Sequence, residues 1–197
     1  MKIVNLNETD KSTLLLRSLE DSGVGETVAA IIRDVAQNGD RALLAYAKKF
    51  DHAELTSLEV TQAEMEDALA SMPEELLAAM QTAAENIRAF HSMQLREGFR
   101  LERPNGVYLG QKITPIEKVG LYIPGGTASY PSTVFMNAIP AKLAGCGLIV
   151  IVSPPNADGQ IAAPILAAAK LAGVDRVFKA GGAQAVAALA YGTQTMP

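Results

Sequence analysis

Apolar residues recur through the first part of the chain at the spacing of one helical face. In Thr27 to Gln37, Val28, Ile31, Ile32 and Val35 fall at i, i+3, i+4 and i+7, which predicts an amphipathic helix. Asn38-Gly39-Asp40 stops it and offers a cap to the next, Arg41 to Phe50, with Leu43, Leu44, Ala47 and Phe50 on one side. Thr61-Gln62-Ala63-Glu64 and Ser71-Met72-Pro73-Glu74 both have the form of a capping box, so two more helices are expected there. The second, about Pro73 to Arg96, is predicted to bury Leu76, Leu77, Met80, Ala84, Ile87 and Phe90, and Met65, Met72, Met80 and Met93 read as core filling.

From Phe99 the period shifts towards two. Phe99 to Glu102 and Val107 to Ile113 flank Arg103-Pro104-Asn105-Gly106, the pattern of a β-hairpin with Asn-Gly at its turn. Val119 to Ile123, Leu148 to Val152 and Arg176 to Phe178 are then short apolar runs, each followed by Gly or Pro and an Ala-rich helical stretch. Those helices are expected at about Pro131 to Ala144, Gln160 to Ala172 and Ala183 to Ala190. Strand and helix alternating in this way predict a parallel sheet with right-handed crossovers, and ligands of such sheets sit beyond the carboxyl ends of the strands. The fold class is therefore α/β: an N-terminal helical region with a hairpin over 1–118, then a lobe with a parallel sheet and flanking helices over 119–197.

Composition sharpens this division. Of 197 residues, 49% are apolar and 19% charged, the range of a folded globular chain. Residues 1 to 110 hold 18 of the 21 acidic side chains and 11 of the 17 basic ones, whereas the remainder is net positive and holds 10 of the 16 glycines and 8 of the 10 prolines. A total charge of −4 gives no general attraction to polyanions, which speaks against nucleic acid as a partner. No apolar run approaches the roughly 20 residues of a membrane span, the N-terminus lacks a leader's apolar core, and Cys146 is the one cysteine, so a reducing cytoplasm is the expected compartment.

The strand ends carry the candidate chemistry. They are Tyr122-Ile123-Pro124-Gly125-Gly126-Thr127, Val152-Ser153-Pro154-Pro155-Asn156 and Lys179-Ala180-Gly181-Gly182-Ala183-Gln184. A double-glycine turn before a helix lets backbone approach a ligand, and the helix N-terminus offers N–H groups to an anion such as a pyrophosphate. Neither turn is G-x-G-x-x-G or a P-loop, and a Gly-Gly pair equally serves as a plain connection. Tyr122 could present its ring or hydroxyl to a ligand or pack as a core tyrosine, and Gln184 could bind a cofactor or cap its helix. His52 and His91 lack partners for a metal site and read as surface or helix-end residues, Cys146 as a buried structural thiol, and Glu64, Glu66, Asp67, Glu74 and Glu75 as helix-start and surface carboxylates. No catalytic base stands out.

The segment Val119-Gly120-Leu121-Tyr122-Ile123-Pro124-Gly125-Gly126-Thr127-Ala128, with Tyr130-Pro131-Ser132-Thr133-Val134 and Met136-Asn137-Ala138-Ile139-Pro140-Ala141-Lys142, closely resembles histidinol dehydrogenase. The likeness resumes at Ser153-Pro154-Pro155 and from Ala172-Gly173-Val174 through Gly181-Gly182-Ala183-Gln184 to Gly192-Thr193, and it includes Asn38-Gly39-Asp40 to Phe50-Asp51 near the start. The resemblance implies an incomplete Rossmann-like domain related to aldehyde dehydrogenases, and a homodimeric enzyme of histidine biosynthesis that oxidises L-histidinol to L-histidine through histidinaldehyde in two NAD-dependent steps. By the same resemblance Tyr122 and Gln184 contact NAD, with Pro124, Gly125 and Gly126 forming the neighbouring loop. Family members run to more than twice this length. Their Glu-His acid/base pair, zinc ligands, substrate-binding residues and a further NAD-contacting Asn match nothing in the chain, which is accordingly expected to be an N-terminal portion, inactive alone and without catalytic or metal-binding residues of its own. The alternative is a stand-alone, non-catalytic nucleotide-binding or interaction module.

Overall fold

The computed structural model describes residue 5, residues 23–125 and residues 129–197. Two helices, α1 (Val24–Asn38) and α2 (Asp40–Tyr46), meet at Gly39, whose φ of 53° turns the chain while its N–H closes onto the Val35 carbonyl at 2.8 Å. Asp40 does not cap α2 with its side chain. The cap position is Gly39, and the Asp40 N–H is met by Gln194 Oε1 at 2.8 Å, a contact made only once the far end of the chain has folded back. The last turn widens into a π-helix, Ala47–Asp51.

Helix α3 (Gln62–Ala70) has the expected capping box: Glu64 N–H donates to Thr61 Oγ1 at 3.1 Å and Thr61 N–H to Glu64 Oε2 at 2.7 Å. The second box is absent. Ser71 instead donates its hydroxyl to the Ala68 carbonyl at 2.8 Å, closing α3, while α4 (Glu74–Ser92) starts behind Pro73 with no side-chain cap. Helix α4 buries Met80 and Ala84 only. Leu76, Phe90 and Met93 are exposed, because the helix rests on α5 and the edge of α6 alone, and the outer part of its apolar face has no partner among the described residues.

The hairpin forms as predicted, β1 (Phe99–Glu102) antiparallel to β2 (Tyr108–Gln111), with Leu101 opposite Leu109. Gly106, at φ 79°, donates to the Arg103 carbonyl and takes the left-handed turn position that favours glycine. All eight strand residues are exposed.

The sheet has the order β3-β4-β5 and is parallel throughout: β3 (Lys118–Tyr122), β4 (Leu148–Ser153) and β5 (Arg176–Lys179). Helices α5 (Pro131–Leu143), α6 (Ala163–Ala172) and α7 (Gly182–Tyr191) follow the strands in turn. Helix α6 begins after the expected Gln160, because Gln160 closes a turn with Asn156 and Pro164 sits in the first helical turn.

Alternation along the strands divides the core in two. Val119, Leu121, Ile149, Ile151 and Val177 face α3 to α6, with Val134, Phe135, Ile139 and Ile165 among the buried partners. Leu148, Val150, Val152 and Phe178 face α1, α2 and α7, with Val35, Leu43, Ala185 and Ala188. The N-terminal helices pack directly on those of the sheet: α3 lies on α6, α4 on α5 and α1 on α7. The free edge of β5 is closed by residues 58–60: Val60 N–H donates to the Val177 carbonyl at 2.9 Å and Lys179 N–H to the Leu58 carbonyl at 2.7 Å. Arg176 locks this seam with a fork of two 2.7 Å bonds to Glu59. Its attachment is what holds the Glu59 carboxyl below the usual glutamate range, against the opposing pull of burial.

Candidate functional site

Tyr122 ends β3 on the face that carries α7, 39% exposed, and its hydroxyl accepts a 3.1 Å hydrogen bond from the Gly182 N–H at the start of α7. It is therefore neither a core tyrosine nor a free one. The bond ties the first strand-end turn to the third across β4. Gln184 is 4% exposed, so it does not face solvent as a helix-start glutamine ordinarily would. Its amide folds back over Gly182, where a Cβ would lie 2.8 Å from Oε1, and the φ of 63° there independently favours glycine.

Pro154, which the sequence places at a strand end without a role of its own, is the centre of this packing. A Cβ on Gly125 would lie 2.6 Å from Pro154 Cγ, and one on Gly181 would lie 2.5 Å from Pro154 Cβ. Glycine at these two positions is thus required by packing of both turns around the proline that follows the middle strand. Ligand approach is not needed to explain it. The signal was in the sequence as Ser153-Pro154-Pro155 between two double-glycine turns, but only the order of the strands shows that this proline is in the middle.

The arrangement leaves α7 with no side-chain cap, so its first N–H groups, apart from that of Gly182, are not met by one. A positive helix end beside a tyrosine hydroxyl and a buried amide fits an anionic, hydrogen-bonding ligand such as a dinucleotide. Ser153, fully buried at the end of β4, points to the opposite face, and its hydroxyl has no hydrogen-bond partner among the described residues. Pro124 is exposed and Gly125 half-buried, whereas Gly126 lies outside the described residues. A separate cleft of about 490 Å³, lined by Glu64, Asp67, Ser71, Asn156, Gln160 and Ile161 among others, contains none of the residues that the resemblance links to NAD.

The titratable candidates lie elsewhere. His52 holds a left-handed conformation (φ 56°) after the π-helix, and His91 Nδ1 is 2.6 Å from Gln94 Oε1. Cys146 is half-buried against the α5 side of the core. Among the described residues no group of three or more His, Cys, Asp or Glu side chains is placed to hold a metal ion, so no step through zinc is assigned to them. No helix described is long and apolar enough to cross a membrane.

The histidinol dehydrogenase family model matches residues 16–197. Histidinol dehydrogenase of Methanosarcina mazei is 50% identical over 197 residues, covering 100% of this chain and 46% of its own length. That of Syntrophotalea carbinolica is 54% identical over 177 residues, covering 89% of the chain and 41% of the relative. The crystal structure of histidinol dehydrogenase from Elizabethkingia anophelis superposes with a TM-score of 0.86 at 41% identity, over 92% of this chain and 42% of that one. The chain thus spans less than half the length of the relatives it matches. The family model spans nearly the whole chain, and the chain belongs to the histidinol dehydrogenase family.

Proposed function

We propose that residues 1–118 provide the helical scaffold and hairpin, and residues 119–197 the NAD-binding lobe, of an enzyme that oxidises L-histidinol to L-histidine through histidinaldehyde in the cytoplasm, working as a homodimer. One observation carries the reading beyond family membership: Tyr122 and Gln184, the two residues the resemblance links to NAD, converge on Gly182 at an uncapped helix start. Tyr122 and Gln184 would hold the cofactor, with Pro124, Gly125 and Gly126 as the adjoining wall. NAD bound there supplies the hydride acceptor. The chain's part is to bind and orient, and the residues that move protons or hold zinc belong to the portion of the family fold that this chain does not span. Histidinol with added Zn²⁺ and NAD is expected to give no NADH with this chain alone.

Saturation-transfer NMR with millimolar NAD tests the reading. Wild type is expected to give a signal, and Tyr122→Phe or Gln184→Ala to weaken affinity by up to about tenfold, the cost of one lost hydrogen bond. No signal from wild type, or two variants that bind as it does, refutes the cofactor assignment.

A further inference from the structure

The dipeptide Asn-Gly occurs twice, as Asn38-Gly39 and Asn105-Gly106. Glycine after asparagine leaves the next backbone nitrogen unshielded by a side chain, so that nitrogen can attack the asparagine amide wherever the fold allows the approach. The fold treats the two copies differently. Asn38 ends α1 with both ends of its side chain engaged: Nδ2 donates to Asp34 Oδ1 at 2.7 Å, and Oδ1 accepts from the Arg41 guanidinium. The Gly39 N–H is bonded to the Val35 carbonyl at 2.8 Å, Gly39 is buried, and a Cβ there would run into the Gln194 amide. Asn38 is thus fixed in helical backbone by charge-assisted hydrogen bonds on either side.

Asn105 lies at the tip of the hairpin, where residues 101–110 are exposed and a Cβ on Gly106 would meet nothing within 4 Å. Its side chain takes part in one hydrogen bond among the described residues, Oδ1 accepting from the Val107 N–H at 3.4 Å. That bond closes an Asx turn, a ring in which Asn105 Cγ and the Gly106 nitrogen are brought to the same side, and at this length it orients the amide without locking it. The Val107 N–H also points at the oxygen on which negative charge gathers when Cγ is attacked. We infer that Asn105 is a site of spontaneous deamidation, closed to a succinimide by the Gly106 nitrogen, whereas Asn38, in the same dipeptide, is kept intact by the fold. The Gly106 N–Cγ bond forms and the Cγ–Nδ2 bond breaks, with the Gly106 amide proton leaving by way of solvent on ammonia. Water then opens the cyclic imide at either carbonyl to give aspartate or isoaspartate, so asparagine and water become acid and ammonia with no redox change. Isoaspartate adds a carbon to the main chain at the turn, and the bonds of Gly106 to the Arg103 carbonyl and of Arg103 to the Val107 carbonyl lose their register. β1 and β2 pack chiefly on each other, so the change stays in the hairpin.

Incubating the native chain in mildly alkaline oxygen-18 water, then digesting it in ordinary water for fragment mass spectrometry, tests the inference without cofactor or turnover. Oxygen-18 uptake at Asn105 is expected to be at least about tenfold faster than at Asn38, a difference set by the charge-assisted bonds that Asn38 must give up. In urea, where both side chains are released, the two rates should converge. As oxygen-18 enters, the amides of β1 and β2 should lose hydrogen-exchange protection while those of β4 keep theirs, and Asn105→Gln should abolish both the uptake at the turn and that loss. Equal uptake at Asn38 and Asn105 in the native chain means that the dipeptide alone decides, and a native Asn105 as slow as Asn38 means that the turn protects it too. Rates that stay unequal in urea assign the difference to sequence neighbours. Each of these three results overturns the inference.

Discussion

Gly181→Ala isolates the contact on which the candidate site is built. Gly181 has φ −124° and ψ −179°, extended backbone that any residue adopts, so alanine carries no conformational penalty there. What it meets is steric: Pro154 Cβ at 2.5 Å, with Pro154 Cα and Cγ each at 3.2 Å. The ring cannot rotate away as a long side chain would, because both its ends are fixed to the backbone that leaves β4. Overpacking of this kind costs about 1–3 kcal/mol. At roughly 2–4 °C per kcal/mol for a chain of this size, the melting temperature should fall by about 2–12 °C, read by circular dichroism. Gly125→Ala should behave similarly, but its closest contact is Pro154 Cγ at 2.6 Å. A double-mutant cycle separates the two. Pro154→Ala removes Cγ and should rescue Gly125→Ala, yet it keeps Cβ and should leave Gly181→Ala impaired. Unchanged stability of Gly181→Ala, or equal rescue of both glycine variants by Pro154→Ala, would show that the turns do not close around this proline.

Other expectations follow from single contacts. Thr61→Ala removes the hydroxyl that caps α3 and should cost about 0.5–2 kcal/mol in urea unfolding. The Glu59 carboxyl is held low by Arg176, so its stabilisation is present above the ordinary value of 4.5 and lost as pH falls through the lower folded value; Glu59→Gln should flatten the acid limb of a stability–pH profile. Asp51 has the opposite sign. Burial raises its pKa above 3.8, with Oδ2 lacking a partner among the described residues, so the fold favours the protonated form and that preference turns into a cost as pH rises through the folded value. Asp51→Asn should therefore raise the urea midpoint at pH 7 and have little effect well below pH 3.8, whereas no gain at pH 7 would refute the sign.

The elements themselves were legible because each has a local cause. The Thr61–Glu64 box, the Asn105–Gly106 turn and the three apolar runs act within a few residues of chain, and all appear near their expected places. Errors arose where a local signal met a distant competitor or lacked a distant partner. Ser71 has the same pattern as Thr61, but its hydroxyl turns back to Ala68 and Pro73 takes the cap position. Phe90 and Met93 have helical spacing that promises burial, yet periodicity identifies only the face a helix could bury and not whether anything covers it. Tyr122 and Gln184 stand 62 positions apart; the family likeness paired them, but only the parallel register of β3, β4 and β5 shows that they share Gly182.

The side of the sheet taken by α7 was beyond the sequence altogether. Its alanine-rich stretch, like that of α6, is apolar nearly all round, so its pattern does not tell which face it covers. The choice is made by what else is present. α5 and α6 already occupy one face, and α1 with α2 presents Ile31, Ile32, Val35 and Leu43 to the other. α7 fills the space between that pair and the sheet, where small side chains let it come down onto Gly120. The Gly182 N–H reaches the Tyr122 hydroxyl because both lie on that face; a helix packed with α5 and α6 would start on the far side of the strands from Tyr122. The N-terminal helices, which contribute none of the candidate residues, thus shape the site by holding α7 where its first turn meets the end of β3.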